Sequence, residues 1–286
     1  MDGSKTIIIG ANGQLGNALQ ALYPDARSVD ATELDITDRA AVGEFDWNGV
    51  ELILNAAAFT NVDGAETAEG RVAAWKVNAD AVANLVAVAA QFDATLVHIS
   101  SDYVFDGTKA PHLEDESFAP LSVYGQSKAA GDIAASLAPK HYILRTTWVV
   151  GKGNNFVKTM KGLAEKGIDP NVVNDQLGRL TFTEDLAGAV KHLVDTGAEY
   201  GTYNLTNDGD VVSWMDIAKL PYETFGHDGA RVSGVTTAEY YRGKEGIAPR
   251  PLLSEMSLDK IKATGYNPRD WRGAFAQYAE ELKQEQ

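Results

Sequence analysis

"KTIIIGANGQLG", residues 5–16, joins a β-branched run to three glycines with the spacing Gly-x-x-Gly-x-x-Gly, at Gly10, Gly13 and Gly16. Helical spacing of apolar residues follows over residues 13–23. Where a strand leads into a helix in this way, the glycines allow a tight turn, and the helix N-terminus accepts a pyrophosphate. The stretch predicts a dinucleotide-binding βαβ unit; a purely structural glycine turn is the alternative.

Strand-like and helix-like segments alternate along the chain after this turn. Apolar runs that predict strands lie at residues 27–31, 50–58, 95–101 and 141–151, and helical patterns lie between them at residues 72–92 and 122–137. Strands that are apolar throughout and separated by helices indicate parallel βαβ units. We therefore predict an α/β fold with a Rossmann-type, doubly wound parallel sheet.

The pattern loosens beyond residue 151. Helical patterns at 155–166, 184–196, 213–225 and 272–283 alternate there with short strands and Pro/Gly loops. We predict a dinucleotide-binding domain over residues 1–150 and a smaller α/β substrate-binding domain over 151–286. A segment near 179–200 is expected to return to the first domain.

Composition excludes several classes of protein. The 286 residues include no cysteine, which excludes disulfides, thiolate nucleophiles and Cys-based zinc sites. A net charge of −15 argues against nucleic acid as a partner, although local cations can still hold a small anion. No unbroken apolar stretch approaches about 18 residues, so we predict a soluble, cytoplasmic protein without a membrane partner.

The predicted second strand ends at an acidic residue suited to a coenzyme. Asp30 lies at the distance where such folds place the acid that binds the adenosine ribose. No Arg or Lys follows it before Glu33, which favours NADH over NADPH, unless Arg27 or a residue distant in sequence meets a 2′-phosphate. Asp35 either reaches the adenine amino group or caps a helix. We also assign Gln14, Leu15 and Ile36 to the coenzyme site.

The second motif is "YGQSK", residues 124–128. Tyr124 and Lys128 are four residues apart and share one helix face, where an ammonium lowers the pKa of a phenol. Tyr-x-x-x-Lys also arises as surface decoration, but here it follows four predicted parallel strands. The strand before this helix ends in "SSD", which places Ser101 at the same sheet edge. Ser101 either binds the oxygen that Tyr124 protonates or only forms a turn.

Together with the glycine motif, "NAAAFTNVDGAE", "SSDYVFDG", "YGQSKAAGD" and "RTTWVVGKGNNFVKTM" resemble the extended short-chain dehydrogenase/reductases. Within that family the chain is similar to the branch that reduces the 4-keto group of dTDP-4-dehydro-L-rhamnose. The resemblance implies that Tyr124 donates the proton, Lys128 tunes Tyr124 and binds the nicotinamide ribose, and Ser101 polarises the carbonyl. Further contacts are implied for the coenzyme at Ala58, Phe59 and Thr60, and for the substrate at Ser101, Val62, Asp102, Tyr103, Val104, Trp148, Asn155, Arg179 and Arg250.

One departure concerns metal. Some relatives hold Mg²⁺ at a dimer interface through three glutamates, the first of which corresponds to about Ala18 here. Glu184 and Glu281 alone make a poor site for a hard cation, so Mg²⁺ dependence is doubtful and we predict no metal site. The expected assembly is a monomer or a homodimer.

Other functions of the same fold remain open. A 4,6-dehydratase typically has an Asp–Glu pair after the hydroxyl, but Tyr103 follows Asp102 here. Another nucleotide-sugar reductase or epimerase is a further alternative. So is a non-catalytic subunit like the regulatory subunit of methionine adenosyltransferase, which the intact Ser101, Tyr124 and Lys128 disfavour.

The substrate implied by the resemblance carries a diphosphate, whereas the chain is acidic. Four cations beyond the fifth predicted strand are candidates to hold it: Lys152, Lys158, Arg179 and Arg250. Pairing with surface acids is the alternative role for each. We favour Arg250, because "APRP" stiffens its loop and a guanidinium binds phosphate in a bidentate manner.

Overall fold

The computed structural model describes residues 3–284. Its strands are β1 (Thr6–Ile9), β2 (Arg27–Val29), β3 (Leu52–Asn55), β4 (Thr95–Ser101), β5 (His141–Thr146), β6 (Val149–Val150), β7 (Asn171–Val173), β8 (Leu177–Gly178), β9 (Thr181–Phe182), β10 (Gly201–Asn204), β11 (Val212–Ser213) and β12 (Ser233–Val235). Its α-helices are α1 (Gln14–Leu22), α2 (Arg39–Glu44), α3 (Ala68–Trp75), α4 (Ala81–Gln91), α5 (Val123–Ala135), α6 (Phe156–Glu165), α7 (Thr183–Thr196), α8 (Trp214–Thr224), α9 (Thr237–Tyr240), α10 (Asp259–Ala263) and α11 (Trp271–Gln284).

Six strands form one parallel sheet in the order β2-β1-β3-β4-β5-β10. The predicted Rossmann-type α/β class is confirmed. The chain runs from β1 outward to β2 and then crosses back to β3, so strand order reverses between β1 and β3. Open α/β sheets bind ligands at the carboxyl ends of the strands beside such a reversal.

Alternation along β1 explains why the sheet is covered on both faces. Ile7 and Ile9 pack in a cluster with Val82 and Leu85 of α4, whereas Ile8 packs in another cluster with Leu19 of α1. All of β1 is buried. Successive side chains of a strand point to opposite faces, so an unbroken apolar strand requires a helical layer on each side.

The predicted fifth strand is interrupted. β5 ends at Thr146, and Trp148 has a φ of +47°, a left-handed conformation that a bulky residue rarely adopts. After this bend β6 leaves the central sheet and pairs with β9. The bend therefore turns the chain out of the sheet immediately after the strand end that carries the predicted site.

Residues beyond 151 contribute to the sheet layer as well as to the smaller α/β unit. Leu186, Val190 and Leu193 of α7 lie in the same core cluster as Leu19, and β10 forms the sheet edge beside β5. The smaller unit packs α6, α8 and α11 around separate apolar clusters. A division at residue 150 thus separates the sheet from its own sixth strand.

One long helix spans Ala68–Gln91, in which α3 and α4 are joined by a π-helical turn at Lys76–Asp80. Among the described residues, this helix alone is long and apolar enough to cross a membrane, judged by length and composition. That is weak evidence for a membrane span, because the core helix of a soluble protein passes the same test. Its apolar residues Ala81, Val82 and Leu85 are fully buried against the sheet.

Candidate active site

The glycine turn has no room for side chains. A Cβ on Gly10, whose φ is +76°, would lie 2.7 Å from the Ala57 nitrogen, and one on Gly16 would lie 2.2 Å from the Gly10 oxygen. The turn therefore keeps the end of β1 close to the loop after β3, with α1 starting directly above it. The first N–H groups of α1, including those of Gln14 and Leu15, have no partner within the helix and suit a phosphate.

A cleft of about 320 Å³ opens where the strand order reverses. It is lined by Ile9, Gly10, Gly13, Asp30, Ala31, Leu34, Asp35, Ile36, Thr37, Ala56, Ala57, Ala58 and Val77. The cradle of glycines, the helix N-terminus and the acid at the end of β2 fit a dinucleotide. Leu15 is an exception among the assigned residues, because its side chain is buried in the core and only its backbone can serve a ligand.

The acids of this cleft have distinct roles. Asp30 accepts hydrogen bonds from the Asn12 and Ala31 N–H groups, which hold its carboxylate at the turn. Asp38, rather than Asp35, caps α2. The hydrogen bonds that Asp35 accepts from Thr37 lower the pKa of Asp35. Arg27 donates to the Asp46 carbonyl and stacks on Phe45, so it does not face a 2′-phosphate.

Asn78 is a site residue that motif reading missed. It lies in the π-helical turn, where its amide accepts from the Phe59 N–H at 2.9 Å and donates to the Phe59 carbonyl at 3.1 Å. The same amide donates to the Ser127 hydroxyl on α5. Asn78 thereby fixes the Ala58–Thr60 loop relative to the Tyr124 helix. A π-turn in a long helix often marks a functional site, but nothing in the sequence pattern revealed this one.

Ser101, Tyr124 and Lys128 lie together at the edge of the sheet formed by the ends of β4 and α5. The Ser101 hydroxyl donates to Asp102 at 3.1 Å and accepts from the Tyr103 N–H. Burial raises the pKa of Tyr124 to about 12, while the nearby Ser101 hydroxyl acts in the opposite direction. Tyr103 links the two residues, because its N–H donates to the Ser101 hydroxyl and its ring meets the Tyr124 ring edge to face.

Lys128 contacts the backbone of β4 in this structure. The Lys128 ammonium donates to the Ile99 carbonyl at 2.6 Å, and the charges that act on Tyr124 are those of Asp102 and Asp132, which raise its pKa. Burial lowers the pKa of Lys128 itself to about 8, against the opposing charge of Asp132. Helix spacing predicted the neighbourhood of the two side chains, but not this burial.

Asp102 differs from its predicted role as a substrate contact. It is 1% exposed, and its oxygens accept from the hydroxyls of Ser101 and Ser254. Burial raises its pKa, and the hydrogen bonds from Ser254 and Ser101 oppose that rise. The carboxylate faces the interior, where it orients the Ser101 hydroxyl.

The apolar substrate contacts divide into two groups. Val62, Phe59 and Tyr103 pack around Tyr124, and the Tyr103 and Tyr124 rings meet edge to face at 5.4 Å. Val104 does not line the site, because its side chain is fully buried with Phe105.

Trp148 stands at the bend after β5. Its ring stacks on Trp214 at 4.0 Å, and Phe156 contacts Trp214 in turn. Trp214 and Phe156 are thus further residues of this aromatic cluster that the motifs did not indicate.

The predicted polar contacts are occupied by partners in the protein. Asn155 caps α6 and donates to the Tyr278 hydroxyl; Arg179 binds the Gly209 carbonyl and Glu255. Both therefore have structural roles. Arg250 donates to Asp63 at 2.9 Å and lies over the Tyr241 ring, close to Tyr103. The charge of Arg250 acts on Tyr103, which packs against Tyr124.

The positions of the three metal ligands in relatives meet in a second cavity of about 580 Å³. Ala18, Glu184 and Glu281 all line it, together with Lys152 and Arg269. Loss of solvation and the charge of Glu281 raise the pKa of Glu184. Two carboxylates beside the three cations Lys152, Lys158 and Arg269 do not fit a hard cation. Within residues 3–284, no three His, Asp or Glu side chains are grouped as metal ligands.

The coenzyme cleft and the Ser101–Tyr124 pair open at the carboxyl edge of one sheet. That arrangement defines an oxidoreductase of the short-chain dehydrogenase/reductase class. Residues 4–284 match the profile of the RmlD substrate binding domain family, and the chain belongs to that family.

Individual relatives agree with this assignment. A dTDP-4-dehydrorhamnose reductase of Aggregatibacter actinomycetemcomitans is 38% identical over 292 residues, 95% of this chain and 97% of the relative. The crystal structure of a dTDP-4-dehydrorhamnose reductase from Clostridium acetobutylicum is 38% identical, with a TM-score of 0.89 over 97% of this chain and 99% of that one. The Bacillus anthracis reductase in complex with NADP is 34% identical, with a TM-score of 0.88 over 96% of this chain and 98% of that one.

Proposed function

We propose that this protein reduces the 4-keto group of dTDP-4-dehydro-L-rhamnose to give dTDP-L-rhamnose, with a reduced nicotinamide dinucleotide as coenzyme. The observation that carries the proposal is the position of Ser101 and Tyr124, both in contact with Tyr103, at the sheet edge that also forms the coenzyme cleft. Relatives that match nearly the whole chain carry the name of this activity.

The chain's residues have complementary roles in this reaction. A reduced nicotinamide bound in the coenzyme cleft would supply the hydride to the carbonyl carbon. Tyr124 donates its phenolic proton to the keto oxygen, and Ser101 hydrogen-bonds the same oxygen. The Lys128 ammonium stabilises the phenolate that remains on Tyr124 and holds the nicotinamide ribose. The Ser101 hydroxyl has one hydrogen, so the bond that it donates to Asp102 in this structure is exchanged for one to the keto oxygen when the substrate binds.

We further propose that NADH is preferred to NADPH. The Asp30 carboxylate lines the cleft and repels a 2′-phosphate, and the described lining includes no Lys or Arg. Comparing kcat/KM for the two coenzymes tests the preference, and Asp30→Ser should shift the ratio toward NADPH. An unchanged ratio in Asp30→Ser would show that Asp30 does not set the preference.

The decisive experiment is a coenzyme-oxidation assay with the 4-keto sugar made enzymatically. Stoichiometric formation of dTDP-L-rhamnose is expected, and dTDP-glucose should give no 4-keto product, because Tyr103 stands where a dehydratase has its second carboxylate. Coenzyme that binds but is never oxidised by the 4-keto sugar would favour a non-catalytic regulatory role.

Both substrates are charged and water-soluble, which supports a cytoplasmic site for the reaction.

Light scattering on the purified protein distinguishes the monomer from the homodimer.

A further inference from the structure

A buried charged cluster lies one helical turn beyond the catalytic lysine. Lys128 and Asp132 are four residues apart on α5, so they share a face of the helix. Lys128 is 2% exposed and Asp132 is 1% exposed. Asp132 accepts a hydrogen bond at 2.9 Å from the Nε of Arg145 on β5, which is 3% exposed. Neither Asp132 nor Arg145 belongs to the coenzyme cleft described above.

The groups around Lys128 and Asp132 come from three elements. α5 contributes Tyr124 and Asp132, β4 contributes the Ile99 carbonyl and His98, and β5 contributes Arg145. Burial, followed by the charge of Lys128, lowers the pKa of His98 well below its ordinary value, so the imidazole is neutral. Asp132 is thus the carboxylate in the described chain whose charge acts directly on Lys128.

The tautomer of His98 follows from its hydrogen bond. Asn55 accepts from the Ala57 N–H through its side-chain oxygen, so its NH₂ group faces His98 Nδ1 at 3.2 Å and donates to it. The imidazole proton therefore lies on Nε2, which is 3.9 Å from the Asp132 carboxylate. The positive end of this N–H dipole lies near the Asp132 carboxylate and favours the ionised form of Asp132.

Burial works against both charges of the Lys128–Asp132 pair. An ammonium taken out of water without a counter-charge loses its proton, and a buried carboxylate gains one. Burial raises the pKa of Asp132, and the adjacent Arg145 charge opposes that rise. A guanidinium cannot itself deprotonate in a protein, so Arg145 provides a fixed charge.

We propose that Asp132 is a positioning residue that keeps the Lys128 ammonium charged during the reaction, and that Arg145 keeps Asp132 ionised. The inference rests on the proposed function, because it concerns the lysine assigned there to the phenolate and the coenzyme ribose. A buried ion pair is by itself weak evidence for a role in stability. The Asp132–Arg145 pair has an electrostatic role instead, because Asp132 lies one helical turn from Lys128.

The test is Asp132→Asn, read in two independent ways. The alkaline limb of the pH profile of kcat should move to lower pH by about one unit, since a counter-charge of Lys128 is lost. The Kd of NADH, measured by fluorescence titration without sugar substrate, should begin to rise at correspondingly lower pH. Asp132→Glu keeps the charge and should return both limbs toward their wild-type positions.

A matched control makes the same substitution in an exposed lysine–aspartate pair. Asp93 pairs with Lys140 at 2.7 Å and has a φ of +53°, which asparagine tolerates well. Asp93→Asn should leave both pH profiles unchanged. If Asp132→Asn lowers activity equally at every pH and leaves both limbs in place, Asp132 is merely structural and the proposal fails.

Asp132→Asn leaves Arg145 buried without its partner and can impair folding. The double variant Asp132→Leu/Arg145→Met removes both charges. It should shift the alkaline limb of kcat and the rise in the Kd of NADH to lower pH by a smaller amount. A folded double variant in which both stay at the wild-type pH would overturn the proposal. The coenzyme measurement also separates two failures. A shifted Kd profile in a protein that does not reduce the 4-keto sugar refutes the proposed function and leaves this inference standing.

Discussion

Ser101 and Tyr124 come from different elements, yet both contact Tyr103 in the folded protein. The tertiary structure brings the end of β4 and the first turn of α5 to one edge of the sheet. Because burial raises the pKa of Tyr124 to about 12, the phenol is protonated at neutral pH and ready to act as an acid. A group that must give a proton to a developing alkoxide needs this protonation state.

Tyr124→Phe removes one hydroxyl and keeps the ring that packs against Tyr103. We expect the fold and the melting temperature to be nearly unchanged, and kcat to fall roughly 10²-fold or more, because general acid catalysis is lost. Steady-state kinetics with NADH and the 4-keto sugar measure the effect. Near-native turnover in a folded Tyr124→Phe variant would remove Tyr124 from the role of proton donor.

Arg250 offers a comparison of two substitutions at one ion pair. If Arg250 binds the substrate diphosphate, Arg250→Ala should raise the KM for the nucleotide sugar roughly 10-fold or more and leave the Kd of NADH unchanged. Asp63→Asn removes the carboxylate that holds Arg250 and should leave that KM unchanged or lower it. If both substitutions raise KM equally, the ion pair itself matters, and Arg250 is not the diphosphate ligand.

At the scale of elements, the active site depends on how closely α5 approaches the π-helical turn between α3 and α4. A Cβ on Gly131 would lie 2.1 Å from the Asn78 carbonyl oxygen and 3.3 Å from His98 Nε2. The glycine thus permits a contact between backbones that no side chain would allow. Asn78 in the same turn holds the loop at Phe59, so the approach of the two helices also sets the wall of the coenzyme cleft.

We expect Gly131→Ala to destabilise the protein by about 1–3 kcal/mol through overpacking, and to weaken NADH binding because the π-turn must move. Gly162→Ala is the matched control: it is also in a helix, and nothing lies within 4 Å of its added Cβ. It should stabilise the protein by about 0.5–1 kcal/mol, since alanine is the better helix former. Urea denaturation and NADH titration of both variants provide the readout. Equal stability of the two variants would contradict the close contact.

At the scale of the whole molecule, the coenzyme-binding layer is not confined to the first half of the chain. Leu186, Val190 and Leu193 of α7 are each at most 1% exposed and fill the core behind α1. Each such side chain contributes about 1.5–3 kcal/mol by burial, and their sum is comparable to a total stability of about 5–15 kcal/mol.

We therefore expect a fragment of residues 1–150 to lack a cooperative thermal transition and to bind no NADH, whereas the full chain unfolds with loss of both units together. Near-UV circular dichroism and calorimetry measure this difference. A fragment of 1–150 that melts cooperatively and binds NADH would mean that α7 and β10 are dispensable to the sheet layer.

Local chemistry was sufficient to predict much of this architecture. The run of β-branched residues before Gly10 and the apolar stretches that became β4 and β5 require burial on both faces, which specifies a parallel sheet between helices. Helical periodicity located α1, α5, α6, α7, α8 and α11 to within about two residues. The glycine spacing and the Tyr-x-x-x-Lys spacing predicted both parts of the candidate site, since each motif is a local requirement of its chemistry.

Long-range contacts decided the rest, because sequence spacing does not encode which distant groups compete for a side chain. Arg179 and Arg250 have the residue type that a diphosphate needs, but Glu255 and Asp63, distant along the chain, determine where their guanidinium groups point. Asp102 and Val104 follow the predicted strand end and yet face the interior. The sequence by itself determined the α/β class, and it predicted the coenzyme turn and the Ser101–Tyr124–Lys128 set. Only the tertiary structure decided their burial, the Asn78 link and the Asp132–Arg145 pair, since pKa values and hydrogen-bond partners depend on what surrounds a group in three dimensions.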